Sequence, residues 1–157
     1  GNGIVAFDAG YVRPILAAIH MVIENGRVAF VDTGSNDALP NALAALKKLG
    51  LDVAAVDYVF LTHIHLDHAG GAGRMMATFP NARLVVHPRG ARHMAEPSKR
   101  VAGVSAVYGS EYVARVYGEI LPIPAERILE APDGTVIYLA DLTYRGDYIR
   151  VDMDLLA

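Results

Sequence analysis

An apolar, β-prone run from Val56 to Leu61 empties directly into Thr62-His63-Ile64-His65-Leu66-Asp67-His68, and Gly70-Gly71 follows at once. No other stretch constrains the chain so tightly. Three of the six histidines fall within six residues, with an aspartate between the last two. Along an extended backbone alternate side chains share a face, so His63, His65 and Asp67 converge. His68 falls out of that register and points elsewhere unless the chain turns. The pattern suits two neighbouring metal positions, His63 with His65 and Asp67 with His68. Imidazole and carboxylate are the ligands expected for zinc, and also for iron or manganese. Gly70-Gly71 lets the backbone pass close to the site and begins the next helix. A polar loop with coincidental histidines is the competing reading, and the strand-end context weighs against it.

The flanking sequence reads as alternating strands and helices. Leu16 to Glu24 and Arg27 to Val31 surround Asn25-Gly26, the signature of a hairpin. The second of these strands runs into Asp32-Thr33-Gly34. A helix follows: Ser35 or Asn36 caps it, Pro40 fits its first turn, and Leu39, Leu43, Leu46 and Leu49 recur at helical spacing. Lys47 and Lys48 occupy its last turn, and Gly50 lies just beyond. Ala72 to Phe79 reads as a helix, Arg83 to His87 as a strand and Gly90 to Ala95 as a short helix. Between Val101 and Gly118 the spacing predicts one or two helices broken near Gly109-Ser110. Ile128 to Glu130 and Thr135 to Leu139 flank Asp133-Gly134 and read as a second hairpin. The order is that of an α/β protein with helices packed on a mixed sheet.

At 157 residues, 53% hydrophobic and 20% charged, the chain suits one domain (1–157) with a real core. It has no cysteine, so a metal must be held by nitrogen and oxygen ligands. The net charge of -3 and the scattered basic residues disfavour a nucleic-acid partner. No long apolar run predicts a membrane span. A cytoplasmic location is the expectation, although a chain that starts at Gly1 leaves room for a trimmed leader.

The segment from His63 to His68 matches the HxHxDH signature of the metallo-β-lactamase superfamily. With Phe30-Val31-Asp32-Thr33-Gly34 upstream, the chain resembles the first half of such a protein. The resemblance implies an αββα sandwich, here shortened, with metals at the edge of the sheets. It implies that His63 and His65 bind a first metal, and Asp67 and His68 a second. Asp32 would be a buried carboxylate supporting the metal loop, with an ordinary turn cap as the equal alternative. The implied cofactor is one or two zinc ions, with iron or manganese as alternatives. The implied reaction is hydrolysis of an ester, thioester, lactone or amide of a small molecule. The cation lowers the pKa of water, hydroxide attacks the carbonyl carbon, and Asp67 also orients the water as the catalytic carboxylate.

The departures are as informative. The family's later half supplies a further histidine, a bridging aspartate and a last histidine, but no histidine follows His93 here. Asp147 is the candidate for the bridging position, against the safer reading of a solvated turn. His20, His87 and His93 are assigned packing or surface roles. The stretch from Val86 to Met94 resembles one seen in metal-dependent hydrolases of the superfamily. Within it Arg89 and Arg92 are candidates for a substrate anion, with surface charge the favoured reading. Tyr108, Tyr112 and Tyr117 shape a pocket lid or belong to the core. Two further functions stay open. One is a mononuclear-iron oxidoreductase resembling persulfide dioxygenases, and the other a half-domain completed by a homo-oligomer.

Overall fold

In the computed structural model, which describes residues 3–132 and, as backbone alone, 138–145 and 148–155, six strands form one sheet in chain order. They are β1 (Gly3–Asp8), β2 (Ala18–Glu24), β3 (Arg27–Val31), β4 (Val56–Phe60), β5 (Arg83–Val86) and β6 (Ile128–Glu130). The first three pair antiparallel, and β3 to β6 pair parallel. The hairpin of β2 and β3 turns on Asn25 and Gly26, whose φ values of 48° and 79° give the left-handed pair that such a turn demands. Sequence patterning missed β1, an outer strand whose side chains are at best half-buried.

Each parallel connection passes through helices. These are α1 (Leu39–Lys48), then α2 (Leu66–Ala69) with α3 (Ala72–Thr78), then α4 (Pro88–Ala95), α5 (Ser98–Tyr108) and α6 (Ser110–Tyr117). Parallel crossovers share one hand, so successive ones laid in the same direction place their helices on one face. The core agrees. Val28, Phe30, Val59 and Leu84 of the strands pack with Leu46 of α1 and with Met75 and Met76 of α3. Phe30 stacks on Phe79 with ring centres 5.3 Å apart. The intervening side chains Val22, Ala29, Phe60 and Val85 gather on the opposite face. The Arg127 guanidinium locks the end of α3 by donating to the carbonyls of Met76, Phe79 and Ala82, satisfying acceptors that a helix end leaves open.

Two expectations are corrected. Ser35 precedes a 3-10 turn (Asn36–Ala38) rather than capping α1 with its side chain. The turn closes through its own backbone, Ala38 N–H to the Ser35 carbonyl at 3.1 Å, so no hydroxyl is needed there. Asn36 instead donates to the carbonyls of Tyr117 and Glu119, tying the end of α6 to the start of α1. The second correction concerns the hairpin expected around Asp133-Gly134. Ile128–Glu130 pairs with β5 in parallel, because its alternate side chains continue the sheet's apolar faces. Strand β7 (Tyr138–Arg145) pairs with β8 (Tyr148–Leu155) as a separate two-stranded sheet. Residues 133–137 lie outside those described.

The fold is therefore a mixed α/β arrangement with one helical layer on a six-stranded sheet. Among the described residues no helix is long and apolar enough to cross a membrane.

Candidate metal centre

The parallel strands β3 and β4 end side by side, and both loops beyond them build the site. Asp32 follows β3 with φ at 62°, a left-handed backbone that aspartate tolerates better than most residues but that still stores strain. That conformation turns the chain so that Thr33 grips α2: its N–H and its hydroxyl both donate to the His68 carbonyl, at 2.7 and 2.9 Å. Gly71 N–H donates to the Gly34 carbonyl at 2.8 Å. A Cβ on Gly71 would come within 2.7 Å of the Ser35 carbonyl oxygen and 2.9 Å of that of Thr33. The expected close passage at Gly70-Gly71 is thus a backbone-on-backbone contact that only glycine permits.

The histidine loop is not extended through its whole length. His65 is the last residue with extended torsions, and Leu66–Ala69 closes the short helix α2. Leu66 and Ala69 are buried beneath it, which turns Asp67 and His68 upward. His68 consequently joins the cluster instead of pointing away. Its ring centre lies 4.1 Å from that of His63, and the His65 ring stands edge-on to His63 at 4.8 Å.

Asp32 holds this arrangement from below. Its side chain is 13% exposed. One oxygen accepts the Thr62 N–H at 2.9 Å and the other meets His68 Nδ1 at 2.8 Å, while the Thr62 hydroxyl spans both. A carboxylate on Nδ1 fixes that nitrogen as the protonated one and leaves Nε2 with a free lone pair. Thr62 also contacts His63 Nδ1 at 3.0 Å. Asp32, the residue expected to support the loop, thus bonds to its Thr62 and His68; the part played by Thr62 was not foreseen, although a threonine at the strand end beside an aspartate-bearing loop is a readable signal. Slight desolvation on the loop above all, then the neighbouring rings of His68 and His65, holds the His63 imidazole below its ordinary pKa. That favours the neutral form a metal ligand requires.

One pair of donors has the spacing of ligands on a divalent ion. Two ligands on a tetrahedral ion with bonds of about 2.0–2.1 Å sit roughly 3.3 Å apart; His68 Nε2 and Asp67 Oδ2 are 3.5 Å apart. Among the described residues no three His, Asp or Glu side chains are placed to close on one ion. Asp147, the candidate from the tail, lies outside the described residues.

The other candidates separate. An open cleft of about 630 Å³ begins at His63 and is walled by the first turn of α4. Arg89 and His93 line it, whereas Arg92 is not part of its lining and contacts His93 Nε2 through Nε at 3.4 Å. His87 serves as the cap of α4, its Nδ1 accepting the Arg89 N–H, and His20 is exposed on β2. Tyr108 and Tyr112 stack on each other at the exposed α5–α6 bend. Tyr117 instead turns inward and shares a hydrogen bond of 3.0 Å with Tyr11, a residue the sequence did not single out. Burial, then that bond, holds the Tyr117 hydroxyl above its ordinary pKa, and the charge of Asp67 adds to the shift.

Comparison with known proteins completes the description. The family model described as Metallo-beta-lactamase superfamily matches residues 14–155. A UPF0173 metal-dependent hydrolase of Pyrococcus horikoshii is 31% identical over 116 residues, covering 68% of this chain and 50% of that protein. The N-acyl homoserine lactonase AttM of Azorhizobium caulinodans is 49% identical over 47 residues, 30% of this chain and 16% of its own length. Among solved structures, a subclass B3 metallo-beta-lactamase from a soil metagenome library superposes with a TM-score of 0.63 at 16% identity, covering 97% of this chain and 60% of that one. An archaeal metallo-beta-lactamase superfamily protein from Sulfolobus tokodaii gives 0.63 at 19% identity, covering 95% and 54%. At such identities the structural likeness speaks for the fold alone. The chain spans half or less of the length of these two curated relatives.

Proposed function

Because this chain belongs to the metallo-beta-lactamase superfamily, we propose that it is a metal-dependent hydrolase cleaving an ester, thioester, lactone or amide bond of a small molecule. The observation that carries this reading is the Asp32–His68 hydrogen bond of 2.8 Å. It presents His68 Nε2 beside Asp67 at ligand spacing.

In this reading His63 and His65 hold one divalent ion, zinc in the first instance, and Asp67 with His68 a second. An ion held there supplies a Lewis acid for a carbonyl oxygen and makes water acidic enough to act near neutral pH. The chain's own residues do the rest. Asp67, on the first turn of α2, accepts a proton from the attacking water and aligns its lone pair. Asp32 and Thr62 keep His68 and His63 from rotating, so ligand geometry is set before substrate arrives. The cleft that opens at His63 admits the substrate along one side of the site, and its volume falls in the range of small-molecule sites. The names of the two curated relatives, a lactonase and a metal-dependent hydrolase, support the same class.

The test is direct. Protein purified without added metal is analysed for bound ions and assayed on a panel of short esters, thioesters and lactones. Turnover that a chelator removes and zinc restores supports the reading. A protein that binds zinc stoichiometrically and turns over no member of the panel counts against it.

A further inference from the structure

The cleft beside His63 carries a charge asymmetry that the proposed hydrolysis does not use. It sits at the carboxyl ends of the parallel strands β4, β5 and β6, where open α/β sheets place their ligands. Its floor is apolar, made by Phe60 and Val85 at the ends of two of those strands, with Ile64 and Pro132 at its sides. Arg89 lies along one wall, and no aspartate or glutamate is among the described residues that line it.

Among the described residues the Arg89 guanidinium also has no hydrogen-bond partner. Among the described residues it makes no ion pair, in contrast to Arg27 on Asp57 and Arg127 on the end of α3. The backbone N–H of Arg89 is already taken by His87 Nδ1, so the guanidinium is the donor left for an incoming group. A planar guanidinium with free N–H groups matches a carboxylate with two parallel hydrogen bonds.

We infer that the cleft selects substrates bearing an anionic group, a carboxylate on an otherwise short apolar body, with Arg89 as the residue that reads the charge and Phe60, Val85 and Ile64 receiving the apolar part. This rests on the proposed hydrolase reading for where the reacting bond lies, namely at the His63 end. Arg89 on the wall and the ligand loop at His63 then set the direction in which a substrate binds. Arg92, three residues further along α4, lies outside the lining and has no part in the selection.

The test separates this inference from the hydrolase reading by measuring binding as well as turnover. Hexanoate and its neutral isostere hexanamide are titrated into the full chain as purified, by calorimetry, for the wild type and for Arg89→Gln and Arg92→Gln. The inference predicts that hexanoate binds more tightly than hexanamide and that Arg89→Gln weakens hexanoate by about tenfold, the order expected for one charge-assisted contact in a partly open site. Hexanamide should not respond to either variant, and Arg92→Gln should match the wild type. Equal binding of hexanoate by wild type and Arg89→Gln overturns the inference, as does an equal loss in Arg92→Gln. Ester turnover is followed in parallel. Loss of hexanoate binding in Arg89→Gln without any esterase activity upholds the anion site and sinks the hydrolase. Metal-dependent turnover with no effect of Arg89→Gln on either binding or KM does the reverse.

Discussion

His68 Nδ1 meets Asp32 Oδ2 at 2.8 Å across thirty-six residues of sequence. The pair joins the loop after β3 to the helical turn after β4. Replacing Asp32 by Asn leaves the amide unable to accept both the Thr62 and the His68 protons. Asp32→Asn should therefore lower metal affinity by roughly 10–100-fold, the usual effect of removing a carboxylate behind a ligating histidine. Zinc competition against a chromophoric chelator measures this. Unchanged affinity would mean that Asp32 serves only the turn.

His63→Ala and His65→Ala should abolish metal-dependent turnover while the chain stays folded. Neither side chain is buried in the core: both are exposed on the loop. Circular dichroism and metal analysis on the same samples separate loss of ligand from loss of fold. Iron in place of zinc, with oxygen consumed, would move the chain to the oxidoreductase branch of its superfamily.

The His63 imidazole should titrate below 6.5 in the metal-free protein, since slight desolvation first and then His68 and His65 disfavour its charged form. The sign for stability follows. A base with a depressed folded pKa binds fewer protons than the unfolded chain, so its contribution is neutral above the unfolded value. Stability is then lost as pH falls from about 6.5 through the folded pKa. Proton NMR of the ring should show the midpoint falling further in Asp32→Asn, whose lost charge had raised it, and rising in His68→Ala. Shifts of the opposite sign would contradict the assigned causes.

Gly71→Ala should destabilise the protein by about 1–3 kcal/mol, the range for forcing extra atoms into a packed site. The new methyl faces two backbone carbonyls at 2.7 and 2.9 Å, and neither can swing aside as a side chain would. Urea melts report the loss, and a shallow change would show that α3 can shift as a body.

Arg127→Ala should cost about 2 kcal/mol, because the carbonyls of Met76, Phe79 and Ala82 lose a charged donor together. Arg127→Lys restores the charge but not the fork, and should recover only part of the loss. Thermal melts of both variants check the order.

Much of this is legible in the sequence. Asn25-Gly26 marks its hairpin because few other pairs accept two positive φ angles in succession, and the leucines of α1 repeat at 3.6 for a core to bury. Gly109-Ser110 breaks the long helix as the spacing suggests. The histidine motif misled in one respect. Its alternation looks like a strand, yet Leu66 and Ala69, three apart and both buried, carry the helical signal that brings His68 into the cluster. The partner of Ile128–Glu130 was not legible, since three apolar residues beside a turn pair fit either an antiparallel or a parallel neighbour. Tyr11 owes its place to a loop that meets α6 only in three dimensions, and no local pattern announces such a meeting.

The six strands lie side by side in the order in which they are synthesised. Every new strand therefore finds its neighbour already made, at an edge still open, with no slot left behind to be filled later. A nascent chain of this kind can add its strands one at a time as it emerges, and the loops after β3 and β4 come into register as soon as the fourth strand is laid. The cradle of Asp32, His63 and His68 can thus take shape while the residues that follow Gly71 are still being translated.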